Sequence, residues 1–262
     1  MSTPPSTPRV PLATGGALLA IAVLTSCGPA SAADPEERGF GPVGDRLTIS
    51  VGGGDLTVRP ADVEEVEVTR WFTGWSLIGA RTAATWELAG DTLTLATDCG
   101  PVVLGRCDAR YEVLVPRTVA LAVEGDSGQI TAAGFDTALA IGSENGAVRV
   151  EDVSGPLTLR SSSGRLHAAD VRSPQVTADS ENGEITLSFA DAPARVDATT
   201  ENGAVTVELP ETGYDVTATT DNGDVRTDVT EQPGSPHVIT VRTDNGGIDL
   251  RSTGHAPPGG DD

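Results

Sequence analysis

A two-residue turn that recurs about every twenty residues constrains the fold more than any other feature. An Asn-Gly or Ser-Gly pair recurs with its glycine at 128, 146, 164, 183, 203, 223 and 246, at intervals of 18 to 23 residues. A fixed period of this length is typical of solenoids, in which each repeat is one supersecondary unit stacked on its neighbours. An earlier copy lies between Leu47 and Val58, and residues 59–118 interrupt the pattern.

Apolar and polar residues alternate on both sides of each turn. Val176 and Ala178 precede the turn at Gly183, and Ile185 and Leu187 follow it. This period of two predicts strands with one buried face, so each repeat is two short strands joined by a tight turn. The Asn-Gly sequence indicates a turn that requires a positive backbone angle φ, which Gly adopts freely and Asn tolerates.

The pattern predicts an all-β fold and leaves two architectures. One is a parallel β-solenoid (β-helix) of short two-strand repeats. The other is an antiparallel β meander or sandwich, because Asn-Gly between alternating strands is also a strong hairpin signal. The solenoid is favoured by the last inward position before the turn, which from the second turn onward carries a hydroxyl that stacked coils would place about 4.8 Å apart. These residues are Ser143, Ser161, Ser180, Thr200, Thr220 and Thr243.

The N-terminal segment predicts export and lipid attachment. Residues 1–26 have Arg9, an apolar stretch and small residues at the end, which is typical of a secretory signal peptide. Leu24-Thr25-Ser26-Cys27 matches a bacterial lipobox, so we expect lipid on Cys27 and an extracytoplasmic, membrane-anchored protein. Residues 27–42 then form a flexible tether, 43–251 the β-solenoid domain, and 252–262 a disordered tail.

Two further cysteines suggest a disulfide. Cys99 and Cys107 form an even pair in an exported chain, and the short intervening loop contains Gly100, Pro101 and Gly105. The alternative is two free buried thiols.

The charge balance limits the partners. Without residues 1–26 the chain has 16 basic and 38 acidic residues, a formal charge of −22. A nucleic acid backbone would be repelled, as would an anionic membrane surface. The lipid on Cys27 is therefore the only membrane contact that we expect, and nucleic acid is not an expected partner.

The repeat units resemble a known bacterial family. Residues 143–150 (Ser-Glu-Asn-Gly-Ala-Val-Arg-Val), 200–207 (Thr-Glu-Asn-Gly-Ala-Val-Thr-Val) and the stretch from Tyr111 to Arg117 are similar to the family called "putative adhesin". The resemblance covers about residues 43–251. It implies a right-handed β-helical domain at the cell envelope, of largely unknown function, with no catalytic residues to transfer.

An acidic residue precedes each of the five turn Asn-Gly pairs, and these residues form a candidate Ca²⁺ site. Stacked coils would bring their carboxylates and the neighbouring amide oxygens together, and these are suitable Ca²⁺ ligands. The alternative is a solvated edge whose acids splay apart. The row comprises Glu144, Glu181, Glu201, Asp221 and Asp244.

Four aromatic residues cluster in the interrupting segment, at Trp71, Phe72, Trp75 and Trp86. One interpretation is a cap over the open end of the solenoid core. The other is an exposed surface that contacts a carbohydrate or a protein.

Together these observations favour a non-catalytic, lipid-anchored binding or scaffolding protein of the cell envelope, adhesin-like, with an envelope protein or glycan as partner. The first alternative is an accessory lipoprotein in envelope-stress signalling. The second is a polysaccharide-active enzyme, which would need a pair of carboxylates acting as acid and base, and no such pair stands out. We expect no cofactor other than Ca²⁺.

Overall fold

The chain forms two long β-sheets that face each other across one apolar core. The structure, a computed structural model, describes residues 33–76, 82–98 and 105–253. These residues form 22 strands, eleven in each sheet, and contain no helix. Within them, no element could cross a bilayer as an apolar helix.

Successive repeats stack in parallel through the middle of the molecule. Each coil of the stack places one strand in each sheet, and residues at equivalent positions pair, as Val176 does with Val196. This parallel stacking confirms the predicted solenoid-like arrangement, and the repeats do not form the alternative meander. The strands, in pairs, are β8 (Ala120–Gly125) and β9 (Ile130–Ala133), β10 (Leu139–Ser143) and β11 (Val148–Val153), β12 (Leu157–Ser161) and β13 (Leu166–Val171), β14 (Gln175–Asn182) and β15 (Ile185–Phe189), and β16 (Arg195–Asn202) and β17 (Val205–Leu209).

The last two coils are exchanged relative to their order in the chain. A stack in chain order would place β18 (Gly213–Asn222) beside β16. Instead β21 (Val238–Asn245) pairs with β16 on one side and with β18 on the other. In the facing sheet, β22 (Ile248–Ser252) likewise separates β17 from β19 (Val225–Thr227). The two-residue β20 (Thr230–Glu231) pairs with the start of β18.

The N-terminal end has the same exchange and an additional cap. The coil of β2 (Arg46–Val51) and β3 (Asp55–Ala61) is inserted between β8/β9 and the coil of β6 (Thr92–Asp98) and β7 (Gly105–Pro116). Beyond that coil, β4 (Val66–Ser76) and β1 (Glu36–Phe40) extend one sheet antiparallel, and β5 (Ala83–Ala89) extends the other.

The N-terminal region therefore differs from its sequence-based description in two ways. β1 lies inside residues 27–42, the predicted tether. It is ordered as a capping strand because Phe40 is buried in the apolar core and Glu36–Phe40 pairs with β4. Residues 59–118, expected to be irregular, supply one full coil and two of the three capping strands. At the other end, 254–262 of the predicted tail lies outside the described residues.

Close backbone approach explains the turn glycines better than positive φ does. Among the seven turn glycines, positive φ occurs only at Gly128 and Gly246. A Cβ on Gly146 would lie 1.8 Å from the carbonyl oxygen of Gly128, and a Cβ on Gly203 would lie 2.1 Å from that of Gly183. Each coil thus packs its turn directly on the turn before it, and a side chain there would push the coils apart.

Candidate binding surfaces

The stacked turns form one edge of the molecule, and the predicted acidic row follows this edge. The pairing of Asn182 with Asn202 and of Asn202 with Asn245 sets Glu181, Glu201 and Asp244 on adjacent coils. Asp221 comes last rather than second to last, because the final coils are exchanged. Glu144 is set apart from the others, since the coil between it and Glu181 carries Ser162 at this position.

One arginine side chain, Arg242, already neutralises part of this row. Arg242 Nη2 lies 3.0 Å from Asp244 Oδ1 and 3.6 Å from Asp221 Oδ2. Among the described residues no group of three or more His, Cys, Asp or Glu side chains converges as a metal site would require. The Ca²⁺ site on Glu144, Glu181, Glu201, Asp221 and Asp244 therefore stays a prediction.

A shallow groove of about 450 Å³ crosses five coils on the outer side of this edge. It arises where short residues, Gly142 and Ser162, lie between longer side chains. Arg160 is the one basic side chain of its wall, and Arg160 Nε is 3.8 Å from Asp179 Oδ2. The acidic side chains of the wall are Glu124, Asp126, Glu144, Asp179, Glu181 and Glu201.

The turn asparagines form a hydrogen-bonded ladder that the sequence analysis did not identify. Asn222 donates through Nδ2 to Asn245 Oδ1, Asn245 donates to Asn202, and Asn202 donates to Asn182, each over 3.0 Å. Asn182 Nδ2 ends the series on the carbonyl of Ser162 at 3.4 Å. The signal was present, because Asn occupies the same position in all four of these repeats.

The hydroxyl row occupies the predicted inward positions but bonds differently. Its members pair in register, as Ser180 does with Thr200. They bond to turn glycines rather than to one another: Ser143 accepts from Gly146 N at 2.9 Å, and Thr200 donates to Gly183 O at 3.2 Å. Ser180 Oγ is buried without a hydrogen-bond partner. The row therefore fastens turns to strands and is not a hydroxyl ladder.

The aromatic residues are divided between the cap and the outer surface. The ring of Trp86 meets that of Phe40 edge-on at 6.1 Å, and the Arg70 guanidinium lies 4.1 Å from its centroid. Phe72 is half-buried against the core. Trp71 is half-buried on β4, with the Arg110 guanidinium 4.0 Å from its ring. The side chain of Trp75 lies outside the described residues.

Buried tyrosines fill the core near each end of the stack. Tyr111 on β7 bonds to Thr97 Oγ1 through its hydroxyl at 3.1 Å, and Tyr214 on β18 donates to Pro210 O at 2.9 Å. Burial raises the pKa of Tyr214 to about 12. Burial also raises the pKa of Tyr111, opposed by the Thr97 hydrogen bond and the charge of Arg70. Both groups act as core polar side chains.

The predicted attachment and disulfide residues fall largely outside the described chain. Cys27 and Cys99 are both outside it, and Cys107 lies on β7, where it pairs opposite Gly74 of the capping strand β4. The lipid on Cys27 and the Cys99–Cys107 disulfide stay predictions.

Comparisons with known proteins identify the family. A sequence model described as Toastrack DUF4097 matches residues 41–251. No curated protein matches the chain. Three similar solved structures are a putative cell adhesion protein from Clostridium sporogenes (11% identity, 84% of this chain and 99% of that one, TM-score 0.40), a putative adhesin from Bacteroides fragilis (12%, 84% and 97%, 0.40) and one from Parabacteroides distasonis (12%, 83% and 98%, 0.37).

The family match covers nearly all of the described residues, including the exchanged coils at both ends of the stack. It confirms the resemblance drawn from the repeat units and from the stretch after Tyr111. The chain belongs to the Toastrack DUF4097 family.

Proposed function

We propose that the chain is a non-catalytic binding or scaffolding protein held by lipid on Cys27 at the extracytoplasmic side of the cell membrane. The lipobox supports the anchor, and the resemblance of the repeats supports a right-handed solenoid as the scaffold. The groove on the turn edge carries the binding part of the proposal. Its length and its charged lining indicate what kind of ligand would bind there.

The groove fits an extended, positively charged segment. Five coils at about 4.8 Å spacing span roughly 19 Å, which is the length of some six residues of extended chain. Six carboxylates and one guanidinium line it. A basic segment of an envelope protein would complement these charges, and the resulting encounter would be fast and salt-dependent. A neutral glycan could donate hydroxyl hydrogen bonds to these carboxylates, but it would gain no charge attraction from them.

The proposed anchor also orients the molecule. β1 begins at Glu36, nine residues after Cys27. Nine residues reach at most about 32 Å, so the capped end stays near the bilayer. The opposite end of the stack can then point away from the membrane, and the groove on the side of the stack stays accessible to envelope components.

The anchor is tested by Cys27→Ala in the producing cell. We expect the variant to lose the lipid and to move from the membrane to the soluble fraction, because the lipid is the membrane contact that we propose. The matched control is Cys99→Ala with Cys107→Ala, which should stay anchored. Membrane retention of the Cys27→Ala protein, together with a wild-type protein that carries no lipid, would refute the anchor.

The binding surface is tested by a photo-crosslinking residue at Ser162 in the groove. The control position is Thr206, which has a similar exposure on the outer face of the other sheet. We expect adducts with a basic envelope protein from Ser162 only, and their loss when Glu181 and Glu201 are both changed to Lys. A single recurring partner would favour the accessory signalling role over a general scaffold. Equal labelling from both positions would refute the groove.

A further inference from the structure

The C-terminal end of the stack leaves an apolar interior uncovered. Val225 on β19 is 41% exposed, the one large hydrophobic residue so exposed in the described chain. Val216 and Ala218 of β18 are half-buried, while Ile239 and Val241, their counterparts in the next coil, are 0% exposed. Among the described residues, the last coil therefore has core-facing side chains but no further coil stacked on it to bury them.

The backbone edge at this end is also open. Asp224 O accepts from Ile248 N at 2.9 Å, and Asp228 N donates to Leu250 O at 3.0 Å. In a parallel pair the alternate residues point the other way, so the N–H and C=O groups of Val225 and Thr227 face outward. β18 is covered only at Gly213 and Tyr214, by β20. Such an edge is ready to pair with another strand.

The other end of the stack exposes no comparable apolar interior. β1 and β5 are the outermost strands there, and the contacts of Phe40 and Arg70 with Trp86 cover the core. Among the described residues, only the C-terminal end combines a free strand edge with exposed core-facing side chains. Two such ends meeting give a closed two-fold arrangement.

The exposed sequence at the open edge is complementary to itself. If β19 pairs antiparallel with β19 of a second copy and Val225 faces Val225, then Asp224 of each copy faces Arg226 of the other. Asp224 and Arg226 are exposed and make no ion pair among the described residues. Opposite charges directly across two antiparallel strands are favourable, and two apolar Val side chains would cover each other.

We propose that two copies of this chain associate through their open ends, with β19 pairing antiparallel about Val225. The two-fold axis that pairs β19 with its copy also brings the open part of β18 against β18 of the second copy. Both sheets then continue across the interface, and the exposed apolar interior of each last coil is buried. The capped ends lie at opposite extremes of the dimer.

The register is tested by cysteine crosslinking of the full chain purified in detergent. Facing residues in a hydrogen-bonded antiparallel pair have Cα atoms about 5.5 Å apart, within the range of a disulfide. We therefore expect the Val225→Cys variant to form a covalent dimer through the introduced thiol. Thr227→Cys is the matched control, because its two copies would lie about 13 Å apart in this register. A dimer from Thr227→Cys alone, or from neither variant, would overturn the proposal.

The charge pattern is tested by sedimentation velocity over a range of concentrations. Arg226→Asp turns both cross-strand pairs repulsive, and we expect the dimer dissociation constant to rise about tenfold or more. Asp224→Arg combined with Arg226→Asp restores opposite charges and should restore the dimer. Three results would contradict self-association: a wild-type monomer at a concentration of ~100 μM, equal dissociation constants for all three proteins, or disulfide adducts of the Val225→Cys variant with other proteins only.

Discussion

The two ends of the stack use the same exchange of coils but are finished differently. At each end the coil nearest the chain terminus, β2/β3 or β21/β22, is inserted inside its sequence neighbour. Only the N-terminal end then adds antiparallel strands, which bury Phe40 at 5% exposure, whereas Val225 at the other end stays 41% exposed.

This difference shows that the exchange and the cap serve separate purposes. Insertion gives the strands nearest the termini a coil on both sides, which opposes the fraying expected of terminal segments. It does not cover the apolar interior, because another coil then becomes the outermost one. Covering that interior requires further strands beyond the last coil, and the described chain provides these, β1, β4 and β5, at one end only.

The largest contrast is expected between the apolar residues of the two ends. Phe40→Ala should lower the free energy of unfolding by about 3–5 kcal/mol, because it opens a cavity under the cap. Val225→Ala should cost less than about 0.5 kcal/mol in the monomer, since little of that side chain is buried there. Urea unfolding at low protein concentration measures both, and similar costs would mean that the open end is covered in solution.

The next contrast concerns the two tyrosines at alkaline pH. The chain has two Tyr and no Lys, so tyrosines dominate titration between about pH 9 and 12. The pKa of Tyr214 is about 12 in the folded protein, above an unfolded value of about 10. The contribution of its neutral form to the free energy of unfolding is therefore complete below pH 10 and is lost as the pH rises toward 12. At pH ~12 the lost stability is about 2 kcal/mol.

Tyr214→Phe should therefore flatten the alkaline loss of stability, although it costs about 1 kcal/mol at pH 7 by removing the bond to Pro210. Tyr111→Phe should flatten it less, because a hydrogen bond to Thr97 and the charge of Arg70 offset the effect of burial on its pKa. Unfolding curves from about pH 8 to 11.5 compare the two. Parallel profiles for wild type and Tyr214→Phe would refute the assignment.

The sequence predicted the content of each coil but not the order of the coils. Alternation around Val176 and Ile185 identifies inward positions, and parallel stacking follows from the repeat. Every coil presents the same pattern, so exchanging β18 with β21 leaves each residue facing inward or outward as before. Nothing in the alternation of Thr220 and Thr243 distinguishes their coils.

The cap and the polar ladders escaped prediction for different reasons. The residues of β4 and β5 alternate between the two faces as in the other strands. Their antiparallel direction depends on which strands they pair with, β7 and β6, and the alternation does not specify this. The turn Asn and Gly residues were explained by the backbone conformation of the turn itself. In the structure, Asn202 bonds to asparagines of the adjacent coils, and Gly203 packs against the Gly183 carbonyl of the adjacent coil. The predicted Ca²⁺ row has its acids on the expected edge, but Arg242 lies between two of them.

A smaller effect separates two neighbours in the hydroxyl row. Thr200→Val should cost about 1 kcal/mol, because it removes the bond to Gly183 O in the adjacent coil. Ser180→Ala should be neutral or slightly stabilising, because its buried hydroxyl has no partner to lose. Thermal melts of both variants decide this, and an equal cost would indicate a bound water at Ser180.

The smallest effect is expected along the asparagine ladder, which leads from the middle of the stack toward the open end. Asn202 donates to Asn182 and accepts from Asn245, and Asn202→Ala removes both bonds at an exposed site, for about 0.5–1 kcal/mol. Asn145→Ala loses one longer bond, 3.3 Å to Asp126 O, and should cost less. The ladder joins the middle of the stack to the uncapped last coils, so Asn202→Ala should also speed amide exchange in β18 and β21 while leaving the capped end unchanged. Uniform exchange along the whole molecule would show that the two ends are coupled as one cooperative unit, and the contrast between them would then be confined to their surfaces.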